Sequence, residues 1–503
     1  MKEWINHCDT THQHIPPKQG CRPKRLIKIG GNDKSIGHLC SPPHLVKFAA
    51  LSYRWGHGKD SETTKENVND RFKALRTLEF PKTLQDAIQV TRGLDLEYIW
   101  IDRICIVQDD EAEWATEASL MADIYANAHI VLSATATEDP KDGFLLKRKA
   151  PRVIRYAQPG QGDRAVCARQ VASHDCRRKA QKHSYPLFQR GWCMQERFLA
   201  RRIIHFLPDE VLFECEQGRE CECGAANNEK TLYARIYAGY NEFRSLRAAT
   251  EIPESFARDW MAIVHEYSRM ELSYGRDSLP ALSGLAACMG HLEPGEYIAG
   301  LWQHGIVFQL GWHIDAMSLG KRWRHPEDVD ILGPTFSWSS HVRSTAERTP
   351  PRHAQSICTL EDFQVQAATS NPYGQVLHAS LCLNGWVVLG DRTWSWLQTP
   401  AANKVDGCIY LDVGFAIDNR DRMVLGHSAE NEKWRSEGTW RSVMCFALYC
   451  YPHYPHEELI LIDALLLQRS TTRADEFTRI GVARGLEHYW YAETAISSRV
   501  TLV

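Results

Sequence analysis

Tyr98-Ile99-Trp100-Ile101-Asp102-Arg103-Ile104-Cys105-Ile106 is the stretch on which the fold turns. It is an almost continuous apolar run, and a strand wetted on one face would alternate instead. The run therefore reads as a strand buried on both faces of a parallel sheet. Working outward, Thr83 to Leu94 reads as a helix behind Pro81, with Leu84, Ala87, Ile88, Thr91 and Leu94 on one side and Thr83/Asp86 at capping-box spacing. Phe48–Tyr53 (FAALSY) is a short apolar run that ends in the turn Arg54-Trp55-Gly56. Downstream, Asp110 and Glu113 open a second helix that runs to about Asn127, and His129–Ala134 (HIVLSA) is the next strand. Strand, helix, strand, helix, strand with tight connections predicts a parallel sheet with right-handed crossovers, an α/β domain.

The rest of the chain divides around this core. Residues 1–44, rich in Pro, His, Lys and Gly, read as an extended lead-in with one strand at Leu26–Ile29. Residues 45–200 form the main domain, with its α/β core at 45–146. Residues 201–330 carry a hairpin, Arg202–Phe206 and Val211–Cys215, and helical patterns at about 229–247, 255–272, 279–290 and 295–304. Residues 331–503 hold short apolar runs between polar turns (Trp386–Leu389, Tyr410–Ala416, Val443–Tyr449, Leu459–Leu467), a β-rich region.

Composition narrows the function classes. The 503 residues are 44% apolar and 24% charged, which is ordinary for a globular protein of about three units. A net charge of −3 supplies no basic field for nucleic acid, and no apolar run approaches the length of a membrane span. Met1–Cys8 lacks the apolar segment of a signal peptide, so a cytoplasmic protein with its 16 cysteines reduced is expected. Walker, Rossmann and Gly-x-Ser-x-Gly motifs are absent.

The sharpest candidate for chemistry is Glu117. On the second helix, with Trp114 at 0° and about 100° per residue, Glu117 falls at about 300°, inside the arc of Met121, Ile124, Tyr125 and Ala128. Capping explains Glu113, and the helix N-terminus explains Glu111. Glu117 is explained by neither. Two readings stand: an ion pair to an arginine such as Arg54 or Arg103, or a carboxylate held in a cleft for a ligand hydroxyl or a developing cation. Tyr53, Arg54 and Trp55 at the end of one strand, and Asp102 and Arg103 on the next, belong at the carboxyl edge where open α/β sheets bind ligands. As strand neighbours, Asp102 and Arg103 should point to opposite faces, each needing its own partner.

These residues resemble a known family. Leu51-Ser52-Tyr53-Arg54-Trp55-Gly56, Thr83–Ile88, Tyr98–Asp109, Trp114–Glu117 through Met121 and Ile124-Tyr125, and Arg190-Gly191-Trp192-Cys193-Met194-Gln195-Glu196-Arg197 are similar, in order, to the fungal heterokaryon-incompatibility (HET) domain. Asp277–Ala286 and Pro334–Trp338 resemble a companion region of long HET proteins. The resemblance implies fungal non-self recognition and regulated cell death. Through a remote likeness of HET to TIR domains, it also implies a flavodoxin-like parallel sheet. Some TIR domains cleave NAD with a helix glutamate close behind a Trp, and Trp114 and Glu117 look similar in placement. That places Glu117 as catalytic residue and Tyr53, Arg54, Trp55, Asp102, Arg103 and Trp114 around NAD as substrate, with no required cofactor. The alternative is a non-catalytic signalling module that self-assembles or recruits an incompatibility partner.

Other signals read as structural. Cys215, Cys221 and Cys223 are too irregularly spaced for the usual paired zinc ligands and read as reduced thiols. Cys105 reads as core. The basic residues Lys147-Arg148-Lys149, Arg152, Arg155 and Arg177-Arg178-Lys179 read as solvated surface. Glu196 reads either as a second functional acid or as a local partner of Arg201 one helical turn away, with the local pair favoured.

Overall fold

The computed structural model describes residues 1–14, 22–30, 35–42, 44–56, 58, 61–147, 152–158, 162–168, 185–224, 238–314, 333–340, 345–346, 353–389, 408–411, 415–418, 443–453, 456–470, 473 and 475–503. The chain divides into two compact units, Met1–Tyr237 and Ala238–Val503.

The first unit is built on a nine-stranded sheet. Its strands in chain order are β1 (Leu26–Ile29), β2 (Ser35–Cys40), β3 (Phe48–Ser52), β4 (Leu75–Arg76), β5 (Tyr98–Trp100) and β6 (Ile130–Ser133). A separate hairpin, β7 (Arg152–Gln158) and β8 (Gly162–Ala168), comes next, and then β9 (Arg202–Phe206), β10 (Val211–Cys215) and β11 (Arg219–Cys221). The spatial order is β11-β10-β9-β6-β3-β5-β1-β2-β4. The four central strands β9, β6, β3 and β5 are parallel, and the flanking strands are antiparallel. β3, β5, β6 and β9 thus lie in the order second, first, third, fourth. All residues of β3, β6 and β9 are buried, as parallel strands covered on both faces require.

The helices are α1 (Lys2–Thr11), α2 (Val68–Arg71), α3 (Lys82–Gly93), α4 (Asp102–Cys105), α5 (Glu111–Asn127) and α6 (Gly191–Leu199). On α5 the Asp110 carboxylate accepts the Glu113 N–H at 3.1 Å, the N-cap expected from sequence. Tyr125 ties α5 to the sheet: its hydroxyl donates to the Leu51 carbonyl at 3.0 Å, and its ring meets Trp100 edge-on at 5.5 Å.

Several sequence expectations need correction. The strand expected over Tyr98–Ile106 ends at Trp100, and Asp102–Cys105 is a helical turn. Trp100 pairs with Ala50 of β3, and on the other flank β1 begins at Leu26, next to the Ile27–Ile99 pair; beyond Trp100 the backbone leaves both ladders. It bonds within the turn (Cys105 N–H to Ile101 O, 2.7 Å) and to the 61–64 segment (Thr63 N–H to Arg103 O, 3.1 Å). The Thr83/Asp86 capping box does not form, because the helix starts at Lys82 with Pro81 as N-cap. Asp86 instead accepts the backbone N–H groups of Phe144 and Leu145 at 2.9 and 3.1 Å. The lead-in carries a helix, α1, and a second strand, β2, in addition to the expected Leu26–Ile29.

In the second unit the helices Ala238–Ala248, Phe256–Ser268 and Pro280–Met289 follow the sequence patterns, and residues 229–237 lie outside the described residues. The pattern at 295–304 is not a helix. Tyr297–Ile298 and Leu301–Trp302 pair as short strands about Ala299 and Gly300, both at positive φ. Gly300 is required there: its carbonyl accepts the indole N–H groups of Trp260 and Trp338, each at 3.0 Å, and a Cβ would lie 2.7 Å from Trp338 Nε1. The C-terminal region is β-rich as expected, a sheet that includes Val376–Leu389, Val443–His453, His456–Arg469, Glu476–Glu487 and Ile496–Leu502. Its core encloses Asp463, which accepts from the Tyr449 and Tyr451 hydroxyls, the Gly485 N–H and Arg484 Nε. Among the described residues no helix is long and apolar enough to cross a membrane. Of the basic residues read as surface, Lys147 and Arg155 are exposed, while Arg148, Lys149, Arg177, Arg178 and Lys179 lie outside the described residues.

Candidate functional site at the carboxyl edge of the parallel strands

The chain leaves β3 and β5 at their carboxyl ends carrying polar side chains, and these converge. Trp55 Nε1–H donates to Asp102 Oδ2 at 2.6 Å, and the backbone N–H of Arg103 donates to Asp102 Oδ1 at 2.7 Å. The Arg103 guanidinium lies over the Trp55 ring at 4.8 Å and donates to the Gly58 carbonyl at 2.7 Å and to Ser61 Oγ at 3.3 Å. Asp102 and Arg103 therefore share one site through Trp55, because the helical turn sets their side chains about 100° apart where a strand would oppose them. Asp102 is 9% exposed, and burial raises its carboxyl above the usual range against the opposing pull of Trp55 and the backbone N–H. Tyr53 is buried, with its phenol beside Asp102. Desolvation, with the nearby Asp102 charge, holds its phenol well above the ordinary range.

Helix α6 completes the cluster. Arg190, at its N-cap, donates to the Tyr53 carbonyl at 2.5 Å. Cys193 and Glu196, one helical turn apart, face the end of β3, and Ser52 Oγ donates to the Glu196 carboxylate. Desolvation pushes Glu196 up to about 7, against the pull of Arg190 and the Ser52 hydrogen bond. Glu196 thus bonds across the sheet edge to Ser52, where the sequence pointed to Arg201; Arg201 instead reaches the Asn127 carbonyl at 3.4 Å. Arg190 and Ser52 were missed as site residues, and Glu196 was weighed as a second acid but set behind the pair with Arg201. The signal for Arg190 and Glu196 was the Arg190–Arg197 block, whose Cys193/Glu196 spacing defines one helix face; Ser52 stands in the Leu51–Gly56 stretch.

The remaining expected site residues lie differently. Arg54 is partly buried and donates to the Pro186 carbonyl at 3.4 Å. Trp114 is 39% exposed, on the rim of α5. Glu117 is 2% exposed, at the centre of the buried face made by Met121, Ile124, Tyr125 and Ala128. Its Oε2 has no hydrogen-bond partner, and desolvation raises its carboxyl, opposed by the charges of Arg25 and Lys24 and aided by that of Glu113. Arg25 is committed to Glu113 by an ion pair and to the Cys105 carbonyl at 2.7 Å. Tyr53, Trp55, Asp102 and Arg103 are therefore one cluster, and Glu117 lies apart from it, beside Arg25.

The three cysteines after β9 also separate. Cys221 and Cys223 have their sulfurs 3.1 Å apart beside Glu210, whereas Cys215 faces the N-terminal helix. Glu214, buried on β10, is held well below the usual carboxylate range by Arg219 and Arg197, against its desolvation, and His205 beside it is pushed down to about 4 by burial.

Residues 48–196 match the family model described as heterokaryon incompatibility protein (HET). The heterokaryon incompatibility protein 6, OR allele, of Neurospora crassa is 38% identical over 103 residues, which cover 18% of this chain and 14% of that protein. No solved structure matches the chain. The strand–turn–helix segments that build the carboxyl-edge cluster, from Ser52 to Glu196, fall within the matched span, and residues 48–196 of this chain are a HET domain.

Proposed function

We propose that this chain acts in fungal non-self recognition leading to regulated cell death, and that its HET domain binds and hydrolyses an NAD-like nucleotide with Glu117 as the catalytic carboxylate. The observation that carries the reading is the placement of the Tyr53–Trp55–Asp102–Arg103 cluster. It lies at the carboxyl ends of parallel strands in the order second-first-third-fourth; open α/β sheets bind ligands where the order reverses, and this supports the flavodoxin-like and TIR-like reading. The similarity to the Neurospora heterokaryon incompatibility protein supports the incompatibility role. In this reading half-buried Trp55 offers a ring for stacking, and Asp102 and Arg103 give charge-assisted hydrogen bonds to ribose and phosphate oxygens by exchanging their present partners, with buried Tyr53 beneath them. In hydrolysis the C1′–N bond to nicotinamide breaks as a water oxygen bonds to C1′, and the water proton passes to solvent. A carboxylate beside the ribose stabilises the oxocarbenium-like transition state. NAD is the substrate here, and no resident cofactor is invoked.

A second reading, a signalling module without catalysis that self-assembles or recruits an incompatibility partner, is favoured by the enclosure of Glu117 beside Arg25. NAD consumption with nicotinamide release, measured on the purified chain under crowding with assembly confirmed, separates the two. Turnover by the native protein and none by Glu117→Gln supports the nucleosidase. No turnover by either moves the assignment to the signalling module. Equal turnover by both removes Glu117 from the chemistry.

A further inference from the structure

Cys8, His12, His14 and Cys215 bring two thiols and two imidazoles together so that the four ligand atoms all lie within 4.8 Å of one another. Cys8 and His12, four residues apart at the end of α1, share one helix face. The chain then turns extended at His12, so His14, two residues on, returns to the same side. Cys215 arrives from the end of β10, about 200 residues later. Cys8 Sγ is 2.9 Å from His14 Nε2, and Cys215 Sγ is 3.2 Å from His12 Nδ1. Both sulfurs are buried, at 0% and 2% exposure.

Hydrogen-bond donors converge on both sulfurs. The backbone N–H groups of Gln217 and Gly218 donate to Cys215 Sγ at 3.4 and 3.2 Å, a turn that wraps two amides around one sulfur. Arg202 Nε donates to Cys8 Sγ at 3.2 Å. His14 turns its other nitrogen, Nδ1, to the Glu216 carboxylate at 3.1 Å, the carboxylate–histidine arrangement that orients a metal-bound imidazole. Two Cys and two His in tetrahedral array are a zinc donor set, whose ligand–ligand edges are about 3.3–3.8 Å for zinc–ligand bonds of 2.0–2.3 Å.

We propose that these four residues bind one structural Zn2+, closing four-coordinate so that no position is left for substrate. Two thiolates would neutralise the ion, releasing their protons on binding. The ion would clasp α1 to the end of β10, cross-linking positions 8 and 215 inside the first unit.

The test is metal content by elemental analysis of the full chain purified without chelator, followed by cobalt substitution. One zinc per chain is expected, with cobalt giving the intense visible bands of a tetrahedral thiolate site. Cys8→Ser, His14→Gln and Cys215→Ser should each lose the metal, and Cys223→Ser, in the separate Cys221–Cys223–Glu210 group, should keep it. Circular dichroism checks that each variant is folded, and the milder His14→Gln decides the matter should the cysteine variants unfold. Folded native protein with less than about a tenth of an equivalent of zinc and no tetrahedral cobalt spectrum overturns the proposal. So does metal that survives in folded His14→Gln or disappears in Cys223→Ser.

Discussion

Glu196 should make the α6 region less stable as pH rises toward neutrality, and Glu196→Gln should remove that dependence. Its carboxyl is buried, accepts from Ser52 and titrates at about 7, against 4.5 for an exposed glutamate. The folded state therefore holds the proton more tightly than the unfolded state. The stabilisation from this group is complete below pH 4.5 and is lost as pH rises through about 7. A shift of this size, at 1.36 kcal/mol per pKa unit, corresponds to about 3 kcal/mol. Glutamine keeps an oxygen to accept the Ser52 hydroxyl and cannot ionise. Hydrogen exchange of the Gly191–Leu199 amides, followed by mass spectrometry from pH 5 to 8 after correction for the intrinsic exchange rate, reads the local opening free energy. Native and Glu196→Gln chains should be alike near pH 5, and the variant should be better protected near pH 8 by about 2–3 kcal/mol. Parallel pH profiles in the two proteins would refute the reasoning, because every other titrating group is common to both.

Trp55→Phe keeps a ring beneath Arg103 but deletes the 2.6 Å hydrogen bond to Asp102; a loss of about 1.5–3 kcal/mol is expected in denaturant unfolding, larger at pH 8 than at pH 4 because the orphaned group is a carboxylate. Asp110→Ala removes the N-cap of α5 and should cost about 1 kcal/mol, with Asp110→Asn largely retaining stability. Glu214→Gln leaves Arg197 and Arg219 buried or half-buried without their carboxylate, and a loss of about 3–5 kcal/mol is expected in the same assay. Gly143→Ala should destabilise by more than about 1 kcal/mol, since φ is +75° and the new Cβ would lie 2.4 Å from the Asp86 carboxylate that holds the Phe144 and Leu145 amides.

The sequence by itself determined the parallel core, because an apolar run without alternation has few other homes. Phe48–Ser52, Ile130–Ser133 and the hairpin Arg202–Phe206 with Val211–Cys215 stand where periodicity and turn residues put them. The Asp110 cap and the burial of Glu117 were also legible, since both depend on contacts or phases within a single helix. What periodicity could not see was where β5 runs out of neighbours. Asp102 and Arg103 look like strand residues, but the chain leaves both neighbouring ladders after Trp100 and coils into a helical turn, and only then do they meet at Trp55. Glu196 chose Ser52 over the nearer Arg201 for the same reason: α6 lies against the end of β3, a contact between segments 144 residues apart. The Cys8, His12, His14 and Cys215 cluster was illegible altogether. No local spacing links a helix end near the N-terminus to a strand some 200 residues away, and only the closing of the sheet brings the four side chains together.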